Sequence, residues 1–214
     1  MQTKKKENDF CTLYIVRHGE TDWNRKKLLQ GRKGVGLNSD GIAQTQKAAK
    51  FFNTLDIDAI YSSNLHRAKQ TARIIYTKKN LQVKITDKLQ ERAYGMFEGM
   101  DLEGIQNKHF PELSHLSIPE FWPQLEEHPE VESYTQIIER IIPYIQKVAA
   151  SHKKQSIILV THAGILRALL VYLEYATYPQ LLQRGVLENL ANIKIESDGH
   201  KLRIMEIRGI NIGK

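Results

Sequence analysis

The chain is 214 residues long, with 41% apolar residues, one cysteine, and 31 basic against 24 acidic side chains for a net charge of +7. That length suits one domain with a modest insertion. A single cysteine excludes an internal disulfide, and no run approaches the roughly 20 apolar residues of a membrane span. The Lys and Arg residues are spread along the chain rather than gathered in a basic helix or an aromatic-interleaved patch. This argues against nucleic acid and suits the steering of an acidic small molecule.

Residues 1–9 are polar and charged, without an apolar run of signal-peptide length, and read as a frayed tail on a cytoplasmic protein. Phe10 to Val16 reads as a buried strand, with Cys11 a small buried hydrophobe inside it. A Gly-rich loop covers Gly31 to Gly36. A helix follows over Ser39 to Leu55, capped by Asn38 or Ser39 and burying Ile42, Ala49 and Phe52. Ala59 to Tyr61 is a short strand, Leu65 to Tyr76 a helix and Gln82 to Thr86 another strand.

Met100 to Glu130 holds four of the six prolines and the pair Phe121–Trp122, and reads as an irregular, partly helical cap. From Tyr134 to Ala149 apolar residues recur at helical spacing, and Pro143 should kink that helix. Ile157 to Val160 is a second wholly apolar strand, and Ile165 to Tyr175 a helix. Ala191 to Glu196 and Leu202 to Ile207 flank Asp198–Gly199 as a hairpin. The alternation predicts a single α/β domain over 1–214, three-layer α/β/α with a mostly parallel sheet and a small cap insertion near 100–130.

Two apolar strands end alike, one delivering Arg17, His18 and Gly19, the other Thr161, His162, Ala163 and Gly164. Ligands of open parallel sheets bind at the carboxyl ends of strands, so the two histidines are placed to share a pocket. Arg67, in the first turn of the helix after Ser62 and Ser63, leans the same way. Arginine offers a planar fork of donors to phosphate oxygens, and the helix after His162 adds exposed N–H groups. His66, His109, His115, His128, His152 and His200 form no persuasive metal spacing and read as surface residues; no metal and no cofactor are expected.

Arg17–His18–Gly19–Glu20–Thr21, then Asn24, Arg67, Glu91 and Thr161–His162–Ala163–Gly164, in that order, resemble the histidine phosphatase superfamily, the phosphoglycerate mutase-like family. The similarity runs from about Leu13 to Arg167. It implies that His18 is the nucleophile, that Arg17, Arg67, His162 and Asn24 hold the phosphoryl oxygens, and that Glu91 is the general acid and base. Gln30, Gly31 and Ala163 join these as substrate contacts, and Glu20 and Thr21 as supporting turn residues. Where relatives often carry Asp and Pro, this chain has Gly34 and Gly36, which predicts a more flexible loop. Phe97–Glu98–Gly99 and the short chain favour a phosphatase of a small phosphorylated metabolite. The alternatives are a phosphoglycerate mutase and a non-catalytic regulatory protein on the same scaffold. The expected partner is that small substrate, with no nucleic acid and no membrane; a homodimer is compatible with the sequence.

Overall fold

The computed structural model describes residues 9–183 and 186–212, so all of the expected tail but Asp9 lies outside the described residues. In chain order the elements are β1 (Cys11–Arg17), α1 (Asp22–Arg25), α2 (Ser39–Phe52), β2 (Ala59–Ser63), α3 (His66–Ile75) and β3 (Val83–Thr86). A 3-10 turn at Gly95–Phe97 leads to α4 (Leu102–His109), a second such turn at Pro111–Leu113, and α5 (Ile118–Glu126). Then come α6 (Tyr134–Ser151), β4 (Ser156–Thr161), α7 (Ala163–Tyr172), α8 (Tyr178–Leu182), β5 (Leu187–Ser197) and β6 (Leu202–Ile210). None of the helices of the described residues is long and apolar enough to cross a membrane.

The six strands form one mixed sheet in the order β3-β2-β4-β1-β5-β6. The first four are parallel to one another, and β5 and β6 add an antiparallel edge. The middles of β1 (Leu13–Val16) and β4 (Ile157–Val160) are apolar because helices cover both of their faces, the rule for parallel strands. Leu13, Ile15, Ile157 and Leu159 point to the side packed by α6 and α7. Tyr14, Val16, Ile158 and Val160 point to the opposite side, against α2 and α3. The α/β/α layering expected from the sequence is therefore present.

Two details differ from expectation. On α2 the buried face is Gly41, Thr45, Ala49 and Phe52, while Ile42 is exposed. Gly41 carries the closest approach on this face: a β-carbon there would stand 2.1 Å from the Glu20 carbonyl oxygen. The helix thus packs by its smallest residues against the turn after His18, and Ile42 is rotated outward. The helix expected to reach Tyr175 ends at Tyr172, where Leu173 donates back to Leu169 and Glu174 takes positive φ. α6 runs unbroken through Pro143. Pro143 lies on the exposed face, as does Glu139, so the carbonyl that loses its donor faces water.

The 100–130 segment is helical, as read. It carries an apolar cluster of its own, with Ile105, Phe121, Trp122 and Leu125 packed on Tyr94, Phe97 and Val131. His109 and His128, expected at the surface, are half-buried here, their rings 5.4 and 4.8 Å from that of Phe97. His152 is half-buried too, paired with the Tyr61 hydroxyl at 2.9 Å. Imidazole has an apolar body, so it fills aromatic gaps that a charge-based reading assigns to solvent. His66, His115 and His200 are exposed as expected, and Cys11 is buried, its thiol pushed up to about 12 chiefly by burial.

Candidate active site

The central pair β1 and β4 set the site. Arg17 is in register with Thr161, and the next residue, His18, donates its backbone N–H to the Thr161 carbonyl at 3.0 Å. The two strands therefore stop together, and the His18 and His162 rings stand 5.1 Å apart. Both rings are buried.

His18 is fixed at both nitrogens. Its Nδ1 lies 2.7 Å from the Gly19 carbonyl, which can only accept, so Nδ1 carries the proton. Its Nε2 receives the Arg67 Nε–H at 3.1 Å, so Nε2 carries the lone pair. Burial, and then the charges of Arg67 and Arg17, hold its pKa well below the usual histidine range. The ring is thus neutral, with its nucleophilic nitrogen aimed away from the backbone. His162 is lowered likewise, first by burial, then by Arg67. Its Nε2 pairs with the Ser63 hydroxyl at 2.8 Å, and its Nδ1 is buried without a protein partner.

Below about pH 6.5 the unfolded chain protonates both histidines while the folded chain does not. The unfolded state then holds more protons, so stability falls as pH falls through that value. The expected slope is up to about 1.4 kcal/mol per pH unit for each ring. Urea unfolding at about pH 7 and about pH 5.5 checks this: His18→Ala should remove one histidine's share of the slope, and an unchanged slope refutes the assignment.

Arg67 is wholly buried on the first turn of α3. Its two terminal nitrogens donate to the Lys33 and Gly31 carbonyls at 3.0 and 2.7 Å. The Gly-rich loop, expected to be looser, is held at further points. Glu98 accepts from the Arg32 N–H at 2.8 Å, and Gln70 from the Leu37 N–H at 2.8 Å. Gly31 itself has a positive φ of 49°, and a β-carbon there would collide with the Glu98 carboxylate. Arg17 is buried, with one terminal nitrogen on the Leu187 carbonyl at 2.6 Å and its Nε unpartnered. Burial pushes both arginines down to about 10, with the Arg167 charge adding to the effect at Arg17.

Glu91 is buried and accepts two backbone N–H groups, Arg92 at 2.8 Å and Gly164 at 3.1 Å. One of the α7 N-terminal donors expected to be exposed is therefore already taken by this carboxylate. Next to it Arg92, wholly buried, pairs with Glu126 of α5 and donates to the Tyr178 hydroxyl of α8 at 2.5 Å. This ties the segment bearing Glu91 to the helices beside it.

A cavity of about 180 Å³ opens at this point. Its wall includes Arg17, His18, Asn24, Gln30, Gly31, Arg67, Glu91 and Ala163, all expected from the sequence. His162, expected to hold phosphoryl oxygens, is wholly buried and is not on that wall. Asn24 spends its side-chain oxygen on Thr21, which caps α1, and Gln30 has its side-chain oxygen buried without a partner. The wall also includes Lys27, Tyr94 and Arg167, which the sequence reading missed. Arg167 lies four residues after Ala163 on α7, one turn along the same face, and that spacing is a usable signal. Buried guanidinium donors, a neutral nucleophilic imidazole and one carboxylate together suit an anion that is attacked by nitrogen. Among the described residues, no group of three or more His, Cys, Asp or Glu is placed to hold a metal ion.

The family model for the histidine phosphatase superfamily, branch 1, matches residues 13–208. This chain is a member of the histidine phosphatase superfamily. It is 31% identical over 192 residues to an uncharacterized phosphatase, PhoE, of Bacillus subtilis, covering 90% of this chain and 91% of that one. It is 28% identical over 183 residues to a 2,3-bisphosphoglycerate-dependent phosphoglycerate mutase of Parvibaculum lavamentivorans, covering 81% and 85%. The solved structure of YhfR from Bacillus stearothermophilus superposes with a TM-score of 0.81 at 25% identity, covering 94% of this chain and 98% of that one. The superfamily thus includes relatives named for hydrolysis and for mutase chemistry.

Proposed function

We propose that this histidine phosphatase superfamily member hydrolyses a small phosphomonoester through a phosphohistidine on His18. The observation that carries this reading is the tautomer of His18: Nδ1–H bonded to the Gly19 carbonyl and a lone pair on Nε2. In the first step Nε2 attacks phosphorus as the ester P–O bond breaks. Glu91 is the group that passes a proton to the departing alcohol oxygen. In the second step a water oxygen attacks phosphorus, Glu91 takes the water's proton, and the N–P bond breaks to release inorganic phosphate. Arg17, Arg67 and the Asn24 amide hold the phosphoryl oxygens while charge moves between them. His162 pairs with the nucleophile as a second buried imidazole, its ring 5.1 Å from that of His18 and its Nδ1 without a protein partner. We assign the work to the cytoplasm and to a reaction that needs no metal.

Labelled ester mixed with enzyme and quenched in alkali should leave label on the protein, stable to base and lost in acid, as a phosphoramidate is. The labelled peptide should contain His18. Label on another residue, or turnover with none trapped, refutes the covalent step. Retention of the hydrolytic product in the presence of 2,3-bisphosphoglycerate separates this reading from a mutase, which would return the phosphoryl group to a second hydroxyl.

A further inference from the structure

Glu91 sits in a stretch, 87–94, that belongs to no helix or strand. Such a stretch has no ladder of its own, so its backbone polar groups must find partners elsewhere in the chain. The four carbonyls from Lys88 to Glu91 all accept from side chains. Arg140 Nη1, on α6, donates to those of Lys88 and Gln90 at 2.8 and 3.1 Å. The Thr161 hydroxyl donates to that of Leu89 at 2.8 Å. Arg32 Nε, from the Gly-rich loop, makes a longer bond of 3.4 Å to that of Glu91.

Glu132, two residues before α6, joins the two arginines. Its carboxylate takes the Arg140 Nε and Nη2 as a fork, both at 2.8 Å, and the Arg32 Nη2 at 3.2 Å. It also accepts the Ala93 N–H at 3.3 Å, while the Glu132 N–H donates to the Ala93 carbonyl at 3.0 Å. The Glu132 and Arg140 side chains are only 10% and 14% exposed, so water screens their forked pairing less than it does a surface ion pair.

Resting on the phosphatase reading, we infer that Glu132 and Arg140 are positioning residues for Glu91, clamping the backbone of 88–93 and so setting where the carboxylate meets the leaving oxygen. Neither side chain lines the cavity of the candidate site, so both act through the chain rather than on the substrate. The Glu91 side chain has little freedom of its own, because its oxygens are spent on the Arg92 and Gly164 N–H groups. Its carboxylate stands where the backbone puts it. An acid must come within about 2.6–3.2 Å of the oxygen it serves, and a misplacement of about 1 Å can cost about 10²-fold. The His18 and Arg17 side chains bond to Gly19, Arg67 and Leu187, outside 88–93, so loosening the clamp leaves the attacking nitrogen in place.

The test is kcat/KM on benzyl phosphate and on p-nitrophenyl phosphate, which reads binding and the first phosphoryl transfer. Benzyl alcohol needs a proton to leave and p-nitrophenolate does not. Glu132→Gln, which keeps the shape and gives up the charge, should lower the value by about tenfold for benzyl phosphate and by no more than about twofold for p-nitrophenyl phosphate. Arg140→Lys keeps the charge, including its effect at His162, and loses the fork. It should show the same split, and it serves if Glu132→Gln does not fold. In a Glu91→Gln background, Glu132→Gln should cost less than about twofold on benzyl phosphate, because the group it positions is gone. Equal losses on the two esters, wild-type values in both variants, or the full loss repeated in the Glu91→Gln background overturns the inference and leaves hydrolysis standing. Wild type inactive on both esters overturns the phosphatase reading itself.

Discussion

Replacing His18 with alanine is expected to lower hydrolysis of p-nitrophenyl phosphate, measured with EDTA present, by on the order of 10⁴-fold or more. The loss is of the attacking atom itself. Both hydrogen bonds that fix the ring, at Gly19 and at Arg67, end on His18 and serve to present Nε2. Arg17 keeps its bond to Leu187, and Arg67 keeps its two bonds to the loop carbonyls, so the anion pocket survives the change. Inorganic phosphate should therefore still inhibit or bind within a few-fold of wild type. A variant that retains a tenth of the activity would move the nucleophile elsewhere.

Glu91→Gln is expected to lower kcat by about 10²–10⁴-fold on alkyl phosphates. The effect on the first step should be far smaller with p-nitrophenyl phosphate, because p-nitrophenolate leaves without a proton. Gln presents only one oxygen where Glu91 presents two, so either the Arg92 or the Gly164 N–H loses its acceptor. That loss costs about 1 kcal/mol or somewhat more, whatever the substrate. Comparing the two leaving groups separates proton transfer from this local damage. Equal losses on both remove Glu91 from the first step; a burst of p-nitrophenol in the variant then assigns the loss to the second step, and no burst assigns Glu91 a structural part.

The elements that were legible in the sequence are those whose burial is complete. β1 and β4 are sandwiched between helices, so they read as unbroken apolar runs, and the histidines at their ends follow directly. Of the two caps the sequence offers, Asn38 and Ser39, Asn38 is the one whose side chain does what capping residues do, accepting the Gly41 N–H at 2.8 Å. Ile42 was misplaced because hydrophobicity outweighed size in the reading of α2. At this interface the close approach of Gly41 to Glu20 decides which face turns inward. α1 and α8 are of four and five residues, too short to show a period. Lys27 and Tyr94 come to the cavity through loops, and no pattern along the chain marks them. Arg92 reads as a surface charge until the fold surrounds it with Glu126, Tyr178 and Trp122.

One lone pair on the His18 ring is the only one it has to give, and in the free protein it already accepts the Arg67 Nε–H. A nitrogen cannot keep that bond and form another to an incoming electrophile along the same direction. Attack through that lone pair requires the Arg67 bond to be given up, and a phosphoryl oxygen is an acceptor that the released Nε–H can take. The same guanidinium grips the carbonyls of Gly31 and Lys33, so the nucleophile and the loop beside it share one side chain. Holding the nucleophile, ordering the loop and offering donors to an anion thus all fall to a single side chain.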